Sequence, residues 1–173
     1  MKRLYVIGGP MGVGKTAACR QLQQLLDRSV FLDGDWCWDA HPFQVTEETR
    51  EMVLENIAFL LNSFLRCSAY DHVIFCWVLH RREIWADLLR RLTEPYALRA
   101  VSLVCTPEAL RSRLEGDIRA GKRTPDVLDR SLAYLPLYEA LDVRRLDVTD
   151  LTPRETAEQI LKQAAATEKE REP

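Results

Sequence analysis

Long apolar runs are missing from this 173-residue chain, and none approaches the roughly 18 consecutive residues that a membrane-spanning helix requires. No membrane partner is therefore expected. Cysteine is sparse: Cys19, Cys37, Cys67, Cys76 and Cys105 show no CxxC or CxH spacing. That excludes a zinc finger or a disulfide framework as the basis of the fold. The thiols are expected to be reduced and packed as small apolar side chains, which points to a cytoplasmic location. A positive excess is also missing, since 24 Lys and Arg face 26 Asp and Glu for a formal charge of −2. A general nucleic-acid binder would be basic, so no nucleic-acid partner is expected. Residues 1–7 run straight into glycine-rich sequence without a small-residue cleavage site, and are not expected to be a signal peptide. No internal repeat, low-complexity segment or linker interrupts the chain. One domain over residues 1–173 is expected, as a monomer or homodimer.

What is present is an ordinary globular mix, 47% hydrophobic and 29% charged. Residues 2–7 form a β-prone run stopped by Gly8-Gly9-Pro10. Residues 14–27 follow with helix formers and apolar spacing at Ala18, Leu22, Leu25 and Leu26. Residues 29–32 read as a second strand ending in Asp33-Gly34-Asp35. Thr46-Glu47-Glu48 opens a long helix, its acids where the dipole favours them, with Val53, Ile57, Leu60, Leu61 and Phe64 on one face. Residues 72–79 are a continuous apolar run, the pattern of a strand covered on both faces. Residues 81–92 read as a helix, 98–105 as a fourth strand and 144–148 as a fifth. Thr106-Pro107-Glu108 and Thr152-Pro153-Arg154-Glu155 write two helix starts with Thr at the N-cap and Pro first, the second completing a capping box. Thr124-Pro125-Asp126 is expected to open another helix, with Leu128, Leu132 and Leu135 as its stripe and Pro136 interrupting it. Residues 164–173 read as a charged, fraying tail. Alternating strands and helices predict an α/β domain, a parallel sheet with helices on both faces.

Gly9-Pro10-Met11-Gly12-Val13-Gly14-Lys15-Thr16 occupies every fixed position of G-x-x-x-x-G-K-[ST], after a strand and opening a helix. Gly12 and Gly14 let successive backbone N–H groups turn inward around phosphate oxygens, and the helix adds its positive end, with Ala17 adjoining. Lys15 can reach β- and γ-phosphates, and the Thr16 hydroxyl can ligate Mg²⁺. ATP with Mg²⁺ is the expected cofactor pair.

This loop, the short strand ending in an acidic pair and the basic segment after strand four resemble the P-loop small-molecule and nucleotide kinases over essentially the whole chain. Shikimate kinase, gluconate kinase, adenylylsulfate kinase and chloramphenicol phosphotransferase share the layout. Residues 31–39, FLDGDWCWD, are similar to bacterial chains grouped as nucleotide kinases or AAA-family ATPases, a label that carries no substrate. The resemblance implies a three-layer fold with a five-stranded parallel sheet in the order 2-3-1-4-5. It also implies that Asp33 stands on the metal side with Thr16, and that Asp35 contacts the acceptor.

A carboxylate that orients or deprotonates an acceptor hydroxyl is what phosphoryl transfer needs at a strand's carboxyl end. Gly34 is read as the residue that lets the chain turn there. Trp36 and Trp38, with Asp39, His41 and Phe43 nearby, are candidates for lining the acceptor pocket. Residues 111–123 carry five positive and two negative side chains, whereas residues 31–55 carry seven acids and one Arg. A closing lid over residues 113–124 is expected, with Gly116 and Gly121 as hinges. Arg119 and Arg123 would meet the γ-phosphate and Arg111 or Arg113 would pack near adenine; the resemblance further implies that Thr152 and Pro153 lie under the base. The third strand lacks the acid that ends a Walker B strand. The expected activity is ATP-dependent phosphoryl transfer to a hydroxyl of a small molecule (nucleoside or nucleotide, sugar acid or antibiotic-like alcohol). The alternative is a nucleotide-dependent switch or ATPase without transfer. Between Asp35 and Arg66 only Arg50 could hold a strongly anionic acceptor.

Overall fold

The structure, a computed structural model, describes residues 1–169. Five strands, β1 (Lys2–Gly8), β2 (Ser29–Asp33), β3 (His72–Cys76), β4 (Tyr96–Val104) and β5 (Arg145–Asp147), form one sheet in the order β2-β3-β1-β4-β5. Every pairing is parallel. The helices are α1 (Lys15–Leu25), α2 (Glu47–Arg66), α3 (Arg82–Arg90), α4 (Pro107–Arg119), α5 (Val127–Tyr134) and α6 (Pro153–Lys169). The expected order and layering are what the chain adopts. No described helix is long and apolar enough to cross a membrane.

Central β1 shows why its apolar run is unbroken. Tyr5 and Ile7 enter one core with α1, α4, α5 and α6, while Leu4 and Val6 enter another with α2 and α3. Both sets are almost fully buried. Burying such side chains stabilises by roughly 1.5–3 kcal/mol each. On α2, Val53, Ile57 and Leu61 are buried as expected, with Leu54, Ala58 and Leu65 widening the stripe.

Four local expectations need correction. The third strand ends at Cys76, not at residue 79. Beyond it Trp77 N–H still donates to Ile7 O (3.2 Å), but Leu79 adopts φ 46 and turns the chain away. Thr124 does not cap a helix: α5 begins at Val127 with Asp126 at its N-cap, and Thr124 bonds the Asp126 carboxylate instead. Residues 113–119 of the expected lid lie within α4, which leaves residues 120–126 as the connecting turn. Finally, residues 164–169 are helical, because Ala164 continues the buried spacing of Ala157 and Ile160. Residues 170–173 of the expected tail lie outside the described residues.

Candidate active site

The phosphate-binding motif occupies residues 9–16 between β1 and α1. Gly14 stands at the N-cap of α1 with φ 104, and no side chain caps the helix. Its first N–H groups therefore face the loop without a side-chain acceptor, the property that an anion site uses. No atom lies within 4 Å of where a Gly14 Cβ would stand, so backbone conformation and not crowding demands the glycine. Lys15 Nζ donates to Gly9 O (2.8 Å) and Pro10 O (2.9 Å), so its ammonium spans the loop. Burial pushes the Lys15 pKa down, opposed by the nearby Cys76, Asp35 and Asp33.

Asp33 ends β2 beside Cys76 of β3 and is 5% exposed. Its Oδ2 accepts from Thr16 Oγ1 at 2.6 Å, and its Oδ1 accepts from Asp35 N–H at 3.1 Å. The buried carboxylate beside the motif's hydroxyl thus comes from β2, one strand over from the acid that β3 lacks. A hydroxyl and a carboxylate in contact are a suitable oxygen pair for Mg²⁺, which usually keeps additional water and phosphate ligands. No group of three or more His, Cys, Asp or Glu side chains forms an all-protein metal site among the described residues.

Asp35 lies one residue into a short 3-10 turn, Gly34–Cys37, and opens to solvent on one side. Protein crowds its other side, and that desolvation with the neighbouring Asp33 raises its pKa; Lys15, the Trp77 side chain and Arg123 oppose the rise. Gly34 serves a different purpose from the turning one expected. Its φ is not positive, whereas a Cβ there would meet Trp77 Cγ at 2.5 Å. The acidic turn is kept flat against Trp77, the residue that follows β3.

The two candidate tryptophans part company. Trp36 packs edge-on to Phe31 (5.3 Å between centroids), and the Arg20 guanidinium sits 5.0 and 5.1 Å from the two rings. Trp38 leans on Phe43 (4.9 Å) and on the α2 core. Of the basic segment, Arg111 and Arg119 are exposed along α4. Arg113 donates to Val13 O (3.1 Å), Val148 O (2.7 Å) and Thr149 O (2.9 Å), joining the phosphate loop to the segment after β5. Arg123 pairs with Asp117. Thr152 caps α6, its N–H donating to Glu155 Oε2 (2.9 Å) and its Oγ1 accepting from Glu155 N–H (3.2 Å). Two tethers escaped sequence reasoning. Ser131, fully buried on α5, donates to Met11 O at 2.5 Å, and Tyr138 donates to Val78 O at 2.6 Å. A lone hydroxyl on an otherwise apolar helix face was the available signal for Ser131.

A family profile described as an AAA domain matches residues 6–130. The chain belongs to that family. Among curated proteins nothing matches it. Solved structures share its P-loop kinase fold at low identity. A gluconokinase from Sinorhizobium meliloti 1021 is 20% identical, with 95% of this chain and 93% of that one covered at a TM-score of 0.70. The tunicamycin resistance protein of Deinococcus radiodurans is 18% identical, covering 95% and 96% at 0.69. A shikimate kinase from Acinetobacter baumannii, in complex with shikimate, is 20% identical, covering 96% and 94% at 0.61.

Proposed function

We propose that this P-loop kinase-fold protein transfers the γ-phosphoryl group of ATP to a hydroxyl of a small molecule. The observation that carries the reading is Asp35: an exposed carboxylate in the turn that follows β2, its N–H donating at 3.1 Å to Asp33, whose carboxylate also meets Thr16 of the phosphate loop. A nucleotide switch needs the phosphate loop but has no use for an acceptor carboxylate. Residues 9–17 would cradle the phosphates, Lys15 contributing a charge-assisted contact. Thr16 and Asp33 would hold Mg²⁺, which when bound neutralises charge on the phosphate oxygens. Asp35 would accept the acceptor's hydroxyl proton in a hydrogen bond and align attack in line with the leaving oxygen. Arg123 would face the γ-phosphoryl oxygens, with Arg119 as a second candidate. Thr152 and Pro153 would lie beneath the base, and Trp36 and Trp38 would flank the acceptor side.

The seven acids and single Arg of residues 31–55 favour a neutral or cationic alcohol over a nucleoside monophosphate. A screen of sugars, sugar acids, nucleosides and antibiotic-like alcohols with labelled ATP and Mg²⁺ tests the reading. Label should appear on one class and vanish with Asp35→Asn. Nucleotide binding without transfer to any class would leave the switch or ATPase reading in its place.

A further inference from the structure

The turn that carries Arg123 is short and firmly rooted. Gly121, at φ 70, follows α4 and its N–H donates to Ile118 O (3.0 Å), while Lys122 N–H donates to Asp117 O (2.9 Å). These are the paired bonds of a Schellman cap, which makes Gly121 a helix stop and not a hinge. The cap carries the chain back over α4, and Arg123 Nε meets Asp117 Oδ2 at 3.2 Å. The two side chains are 36% and 32% exposed, so the pair is reachable.

Arg113, one turn before Asp117 on α4, is engaged with the carbonyls of Val13, Val148 and Thr149. Asp117 lies in the last turn of α4, at the negative end of the helix dipole, where an acid is unfavourable. Its partner is Arg123, the guanidinium proposed above to face the γ-phosphoryl oxygens. We propose that Asp117 competes with the bound triphosphate for the Arg123 guanidinium and so sets nucleotide affinity as a positioning residue. The proposal rests on the nucleotide site described above and adds a residue that touches neither nucleotide nor acceptor.

Exposed ion pairs are weak, so releasing Arg123 should tighten MgATP binding by about two- to fivefold. Calorimetry on the full chain compares Asp117→Asn with the parent, each with Arg123 present and with Arg123→Ala. Asp117→Asn relieves the helix end of an unfavourable charge, so the fold should persist, and circular dichroism checks it. Tightening with Arg123 present and none in Arg123→Ala is the expected result. Equal tightening in both backgrounds would reduce the effect to general repulsion of phosphate and overturn the proposal. No tightening, or an Arg123→Ala variant that binds MgATP as the parent does, would overturn it too. Lys15→Ala separates the two readings. If that change weakens MgATP, the nucleotide site stands whatever becomes of Asp117; if it does not, the site itself is misassigned and both fall.

Discussion

Lys15 and Asp35 are predicted to fail in different measurements. Lys15→Ala removes a charge-assisted contact worth roughly 1.5–3 kcal/mol, so calorimetry should show MgATP affinity falling by about one to two orders of magnitude. Asp35→Asn keeps the side chain's size and discards its charge. Once an acceptor is identified, it should lower kcat by about 10²–10⁴ while MgATP affinity stays near the parent's. The pH dependence has a definite sign. Asp35 must be charged to act, and crowding plus Asp33 hold its pKa above the ordinary carboxylate value. Activity should therefore begin to fall with acidification at a pH higher than about 3.9. Asp33→Asn should instead alter the Mg²⁺ dependence of kcat, since Asp33 with Thr16 would hold the ion. Gly34→Ala would drive a Cβ to 2.5 Å from Trp77 Cγ. The forced shift should cost about 1–3 kcal/mol in urea denaturation. Trp77→Leu should recover part of the loss; an equal cost in both backgrounds would mean that the clash is not its source.

At the scale of elements, residues outside the motif hold the loop's shape. Arg113 of α4 closes three backbone carbonyls from two segments far apart in sequence. Arg113→Met should leave those acceptors poorly paired at a cost of about 1–3 kcal/mol in urea denaturation, with Arg113→Lys recovering only part because one ammonium cannot reproduce the fork. Most element types were legible beforehand, because caps and periodicities are local signals. Thr106 and Thr152 cap their helices as written, and the capping box at Glu155 forms. The failures are also local in origin. Residues 77–79 are as apolar as the strand before them, so composition could not show the strand ending. The structure ends it through the Trp77–Gly34 contact and the turn at Leu79. Thr124-Pro125 imitates a helix start, but its hydroxyl is taken by Asp126.

For the whole molecule, a ligand that binds only the folded chain must stabilise it. At MgATP one hundred times its dissociation constant the gain is about 2.7 kcal/mol, or roughly 5–11 °C in Tm for a chain of this length. Differential scanning fluorimetry should show that shift for the parent and about half of it or less for Lys15→Ala at the same concentration. The phosphate loop, the α/β alternation and the acidic pair each depend on residue types at fixed short spacings, so the order of residues along the chain is enough to reveal them. Sheet order followed from resemblance and not from spacing, since strand neighbours are chosen by which apolar faces meet. What lies across the site depends on how the folded elements pack. Packing brought Asp33 of β2 onto Thr16 of α1, set Trp77 against Gly34, tied Ser131 to Met11 O and turned Arg123 onto Asp117. Two of these contacts, Ser131 with Met11 and Trp77 with Gly34, join residues more than forty positions apart. No sequence period encodes such distances; they arise when the parallel sheet draws its strand ends to one edge and packing selects the neighbours there.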